Sequence, residues 1–249
     1  MDSKYTGKYT KAFLSDKKAK SQSIEYEYFN RTIDVKENEM VYIFSFNGNK
    51  LLFAKGYENI LGISDSELDI LHLNSLFTSY YERFVFEFHD RLLLFLYNNN
   101  NNIEDFSSNV ITELEGFDIP VMINVKIHRT DDNGNLISII GRNVADQNLK
   151  TSDVIQYSVH IGSDSQFISE INNDLDFKRC ISLYNILVIE KMDKGIELEV
   201  IAEELNITTE KLQENLDKIL TRFELKDYKE LTQFAKIKHI IPNQFEKYL

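Results

Sequence analysis

At 249 residues, with 43% hydrophobic and 27% charged side chains, the chain can bury one large core or two modest ones and has the balance of a globular protein. Its formal net charge of −12 runs against the basic balance of most nucleic-acid binders, and no apolar run approaches the roughly 18 residues needed to cross a bilayer. The single Cys180 excludes an intrachain disulfide and the usual cysteine-based zinc site, and the polar start from Met1 to Tyr5 lacks the apolar core of a secretory signal, so cytoplasmic residence is expected.

Charge is uneven along the chain. Residues 1–20 carry Lys4, Lys8, Lys11, Lys17, Lys18 and Lys20 against Asp2 and Asp16, a net +4 that leaves −16 for the rest. A basic, disordered arm over residues 1–23 is the expectation, either a solubilising tail or a DNA contact. Order should begin near residue 24, where 24–30 reads equally as a short strand or a helical turn. Apolar residues 40–46 and 50–54 flank Asn47-Gly48-Asn49, a hairpin signal in which Gly48 supplies the positive φ of a tight turn. Ser64-Asp65-Ser66-Glu67 has the form of a capping box and predicts a short helix directly after Gly62.

A longer helix is predicted over 79–97, because Phe84, Phe88, Leu92, Phe95 and Leu96 recur at spacings of three or four. The asparagines 98–102 should form a loop, since their side chains compete for backbone hydrogen bonds. Strands are expected over 109–115, 120–129 and 135–142, the last two joined by Asp131-Asp132-Asn133-Gly134. In the middle strand Val121, Ile123, Val125 and Ile127 alternate with more polar neighbours, and Pro120 fits a strand start. Residues 147–178 read as a linker with one extra strand over 154–161, and the pattern is helical after Phe177. The expected fold class is α+β: an antiparallel sheet with helices on one face, followed by an all-α, four-helix domain.

Residues 38–146 resemble a PAS domain. The resemblance rests on the hairpin at Asn47-Gly48, on the stretch from Tyr57 through Gly62 and Glu67 to Leu68, and on the closing stretch from Asp132 through Gly134 and Gly141 to Asp146. It implies sensing or dimerisation. Residues 179–239 are similar to a LuxR-type helix-turn-helix, carried by Gly195, Ile201-Ala202, Leu205, Ile207-Thr208, Leu212, Ile219, Phe223 and Leu225. Gly195 can close one helix in a left-handed conformation, Ala202 allows two helices to cross closely, and Thr208 can cap the next. Leu212, Leu216, Ile219, Leu220 and Phe223 give that helix one apolar face. The expected domains are 24–146 for the PAS-like sensor, 147–178 for the linker, 179–241 for the helix-turn-helix and 242–249 for a tail.

This sequence departs from the LuxR-type pattern at several positions. Val200 stands where an acidic residue is usual, Lys211-Leu212 replaces a Thr-Val pair, Gln213 and Asn215 replace basic or histidine residues, and Tyr228 replaces a loop arginine. Between 197 and 217, Glu197, Glu199, Glu203, Glu204, Glu210, Glu214 and Asp217 face only Lys211. Carboxylates repel phosphates, so shape and charge point in different directions. The residues expected to touch DNA are Thr208, Thr209, Lys211, Gln213, Asn215, Lys218 and Arg222. Gln213 and Asn215 would read base edges, and the cations would meet phosphates, with Lys226 and Lys229 in support.

No enzyme chemistry is legible. His72, His89, His128, His160 and His239 are scattered without ligand spacing, and no metal site is expected. A haem ligand at His72 or His89 competes with the simpler reading of helix-surface or half-buried histidines. Cys180 lies outside the sensor, which removes a photoreactive flavin site, and phosphate-cradling glycine motifs are absent. No cofactor is evident, while a small molecule or haem in the sensor stays open. Three functions compete: a transcriptional regulator acting on DNA as a homodimer, an adaptor whose acidic helix-turn-helix docks on a protein partner, and a ligand-binding module with a dimerising tail. No membrane partner is expected.

Overall fold

The computed structural model describes residues 23–76, 81, 84, 88, 106–114, 117, 119–161 and 179–248. The basic arm, the asparagine loop and most of the helix expected over 79–97 lie outside the described residues. The chain divides into two units, residues 1–148 with 159–175 and residues 149–158 with 176–249.

In the first unit β1 (Glu39–Ser45), β2 (Lys50–Lys55), β3 (Phe106–Glu113), β4 (Pro120–Thr130) and β5 (Leu136–Ala145) pair antiparallel in the order β2-β1-β5-β4-β3. This is the α+β, PAS-like arrangement, with helices inserted between β2 and β3. Both hairpins form where the turn residues place them. Gly48 (φ +80°) and Gly134 (φ +81°) take left-handed conformations, and Asp131 Oδ1 accepts from the amides of Asn133 and Asn135 at 2.9 and 2.8 Å.

The segment after Ser23, undecided in sequence, folds as α1 (Ile24–Thr32), because the Ser23 hydroxyl accepts the Tyr26 amide. Its Phe29 packs on Val41, Ile43 and Phe53, with Ile140 alongside. Residues an odd number of positions along, Tyr42 on β1 and Asn143 on β5, point to the opposite face. There α2 (Tyr57–Leu61) brings Tyr57, whose hydroxyl accepts from Asn143 Nδ2 at 3.1 Å. Both sheet faces are therefore covered. That explains why Met122 is buried along with its neighbours Val121 and Ile123, where alternation alone suggested a more polar position.

The capping box at Ser64 does not form. Ser64 Oγ pairs with Ser66 Oγ, and residues Asp65–Glu67 make a single 3-10 turn without a side-chain cap. The next helix, α3, runs from Ile70 to Ser75. Asp65 instead turns back to the start of α2, where its carboxylate accepts the amides of Gly56, Tyr57 and Glu58 at 3.2, 2.8 and 3.2 Å. Three orphan amides at a helix start attract a carboxylate more strongly than one hydroxyl can. The turn also delivers Leu68, fully buried, to the core.

His128 sits under α1, its Nδ1 2.9 Å from Ser138 Oγ and its ring edge-on to Phe29. Partial burial, with Arg129 nearby, holds its pKa below the ordinary histidine value. The unfolded chain then binds a proton before the folded one does, so stability should fall as pH drops through the usual histidine range. Melting temperature measured against pH should lose that slope in His128→Gln.

The second unit opens with a parallel pairing of Ile155–Tyr157, from β6 (Ile155–Ile161), with β7 (Cys180–Ser182). Four helices follow: α4 (Leu183–Asp193), α5 (Leu198–Glu204), α6 (Thr209–Phe223) and α7 (Tyr228–Ile237). Residues 149–158, assigned to the linker in sequence, group with these helices. Asp153 pairs with Lys238 at 2.6 Å, and Gln156 donates to the His239 carbonyl. The segment assigned to the tail also packs in, with Phe245 fully buried and Gln244 bonded to the backbone of Lys150.

All four helices close through a left-handed residue: Gly195, Asn206, Glu224 and His239. In each case the following amide reaches back five residues, as Ile196 does to Lys191, Ile207 to Ala202, Leu225 to Leu220 and Ile240 to Ala235. Sequence reading singled out only Gly195, although Asn206 is also of a type that closes helices in this conformation. His239→Gly is expected to raise stability by about 0.5–1 kcal/mol, strain relief exceeding the added chain entropy. Denaturant titration of the intact protein measures it.

Candidate nucleic-acid interface and sensor core

The second unit presents α6 through a turn built from α5. Leu205 and Asn206 end α5, Ile207 bends the chain, and Thr208 caps α6 by accepting the Lys211 amide at 3.2 Å. Leu212, Leu216 and Ile219 are buried, as is Ala202 on α5. Phe223 meets Phe234 of α7 with ring centroids 4.9 Å apart. Lys191 pairs with Glu204, and Lys236 with Asp193 at 2.6 Å, which ties the helices at their ends.

The residues expected to meet DNA separate into three groups. Thr208 and Thr209 stand at the amino-terminal end of α6, and Thr208 is engaged as a cap. Lys211, Gln213 and Lys218 are exposed, and Lys211 is paired with Glu214 at 3.4 Å. Asn215 and Arg222 are placed differently from the expectation. Asn215 falls three residues after Leu212 and four before Ile219, at the edge of the apolar stripe, and its Oδ1 is shut off from solvent without a hydrogen-bond partner. Arg222 is half-buried and donates from Nη1 to the Cys180 carbonyl at 3.4 Å. Neither stands free to reach a groove in this arrangement.

The middle of the outward face is acidic. Helical spacing places Glu210, Glu214 and Asp217 together opposite the buried stripe, with Lys218 beside them. The Glu210 carboxyl is held below its usual range by its own amide and by the Thr208 hydroxyl. Tyr228, at the position of the usual loop arginine, donates its hydroxyl to Asp217 Oδ1 at 3.1 Å. Partial burial, and then the hydrogen bond and charge of Asp217, raise the pKa of the Tyr228 phenol.

The first unit has a polar cluster that sequence reading missed. Tyr42 and Gly141 are paired across β1 and β5, and a Cβ on Gly141 would lie 2.1 Å from the Tyr42 ring. The glycine thus lets the tyrosine lie flat over the strand. Asn143 is buried beside it and donates to Tyr57. Burial pushes the Tyr42 phenol up to about 12; burial first, then the charge of Tyr42 and, for Tyr57, of Asp65, raise Tyr57 and Tyr81 well above the usual value. Phe84 and Phe88 stack with centroids 5.8 Å apart. The spacing of Gly141 and Asn143 with the aromatic run was the available signal.

His72 on α3 is half-buried, and His89 lies outside the described residues. Among the described residues no group of three or more His, Cys, Asp or Glu is placed to hold a metal ion.

No family model matches the chain, and no curated protein matches it. Solved structures do. A phage VqmA–DPO complex is 12% identical, covering 86% of this chain and 88% of that one with a TM-score of 0.35. A VqmA–ligand–DNA complex from Vibrio cholerae is 10% identical, covering 88% of each chain at a TM-score of 0.30. A domain of a light- and redox-sensing histidine kinase from Haloarcula marismortui is 17% identical, covering 48% of this chain and 97% of that one at 0.31. The likeness is one of general architecture.

Proposed function

We propose that the chain is a regulator in which the first unit senses a small molecule and α6 of the second unit reads DNA. The observation that carries the reading is the α5–turn–α6 arrangement, which sets one helix on a buried stripe and leaves its other face to solvent. In this reading Lys211 and Lys218 meet phosphates, Gln213 reads a base edge, and Thr208 and Thr209 lie near the backbone at the helix start. Asn215 and Arg222 contribute only if their present packing opens. Two copies would act on paired half-sites, adding two weak contacts. Sedimentation of the intact protein as a monomer at working concentration would count against the pairing.

A second reading is favoured by the charge of the same face. Exposed Glu210, Glu214 and Asp217 suit a basic protein partner better than a phosphate backbone. Titration of labelled duplex DNA with the full chain at low salt separates the two. Measurable binding that weakens steeply with salt supports the first, and folded protein with no DNA affinity leaves the second. Among the described residues no helix is long and apolar enough to cross a membrane.

A further inference from the structure

Arg222 joins the helix offered to DNA to a strand that has no other part in that reading. β7 stands at the edge of its sheet, with β6 on one side. Successive carbonyls along a strand alternate between its two sides, and the Arg179 carbonyl accepts the Ile155 amide of β6 at 2.7 Å. The next carbonyl, that of Cys180, therefore points away from β6. Cys180 is fully buried, so bulk water does not serve this oxygen, and a buried carbonyl without a donor is costly. Arg222 supplies a donor from Nη1 at 3.4 Å, in the last turn of α6.

Both ends of this tie are built to let go. A guanidinium bonds phosphate oxygens more strongly than a neutral carbonyl, and in a two-pronged fork. Arg222 is half-buried rather than enclosed, and Lys218, four residues earlier on the same helix, is exposed. β7 is short, pairing with β6 only over Cys180, Ile181 and Ser182, and it runs directly into α4 through the Ser182 cap. The chain leaves the second unit after Ser158 and returns to it at Asp176, so both strands of the pair adjoin a crossing between the units.

We propose that Arg222 is a latch exchanged between two sites: in the free protein it holds β7 through the Cys180 carbonyl, and on DNA it moves to a phosphate and lets β7 loosen. The proposal rests on the DNA reading of α6 and names a device that regulates it. By reciprocity, whatever loosens the β6–β7 pair favours DNA, and DNA loosens the pair.

Cys180 is the single cysteine of the chain, and its buried thiol reports on β7. The test follows its labelling by a disulfide reagent in the full chain, with and without mixed-sequence duplex DNA at low salt. Arg222→Ala should speed labelling of the free protein by about tenfold, the loss of one hydrogen bond from a charged donor. Saturating DNA should speed labelling of the unaltered chain to a similar degree and leave the variant unchanged. An Arg222 that only props the fold gives the opposite DNA effect, because DNA stabilises the protein that binds it and slows its opening. Bound DNA that slows labelling, or leaves it unchanged, overturns the proposal. Should the variant fail to fold, the DNA effect on the unaltered chain decides alone. A folded chain with no DNA affinity removes the regulator reading and the exchange with it. The hold on β7 is then read from the free variant, where an unchanged labelling rate refutes it as well.

Discussion

Replacing Gly56 by alanine is expected to destabilise the first unit by about 3–5 kcal/mol, a large share of the 5–15 kcal/mol typical of a folded domain. Two causes act together. Gly56 has φ +95°, a region in which a side chain is strained, and it forms the bend from β2 into α2. A Cβ there would also lie 2.1 Å from the backbone carbonyl oxygen of Glu39 and 3.3 Å from Met40 Cα. Those are backbone atoms of β1, where Glu39 and Met40 pair with Val144 and Asn143 of β5, so they cannot swing aside as the end of a flexible side chain would. Moving the turn instead would pull the Gly56 and Tyr57 amides off Asp65. Gly48→Ala separates the two causes, since its φ is +80° but nothing lies within 4 Å of the added carbon. It should cost only the strain, about 1–2 kcal/mol. Urea unfolding of both variants measures the difference. Equal losses at the two sites would show that the close approach at Glu39 contributes nothing.

The contrast between those glycines also marks what a sequence can disclose. Gly48 and Gly134 were readable because a two-sided apolar pattern framed each, and local turn chemistry then fixed the hairpin. Gly56 was not, because its constraint comes from a strand fifteen and more residues away. The same division runs through the second unit. The apolar stripe of α6 and the Thr208 cap are local, and both stood in the periodicity. The inward turn of Asn215 follows from its place at the stripe's edge, yet polarity suggested the outer face. The tie from Arg222 to the Cys180 carbonyl depends on a strand pairing that no local pattern announces. Ser64 misled for a related reason. Its motif matched a capping box, but Asp65 had three better-placed amides upstream. In the first unit, Asn143 looked like one more polar residue on a strand until β5 and α2 brought it to Tyr57.

Replacing Glu210 and Glu214 together by glutamine should tighten DNA binding by roughly tenfold at low salt if α6 faces the groove. Both carboxylates lie on the outward face, and the Glu210 carboxyl is held below its usual range by its own amide and the Thr208 hydroxyl. Each therefore opposes the phosphate field with a full charge. The second substitution has another consequence. Glu214 now holds Lys211 at 3.4 Å, and an amide would hold it less firmly, so the ammonium becomes available to a phosphate. An exposed ion pair of this kind adds little to stability, and the fold should lose less than about 1 kcal/mol. The gain should be the same on unrelated duplexes, because neither change alters a base contact, and it should shrink as salt screens the removed repulsion. Lys218→Ala should move affinity the other way and lower the salt slope by about one unit. A protein partner on the same face predicts the reverse pattern. There the double glutamine variant leaves DNA binding absent and weakens the protein complex, since the charges removed are the ones a basic surface would seek. Anisotropy titrations across a salt series, on the unaltered chain and these two variants, give opposite signs for the two partners.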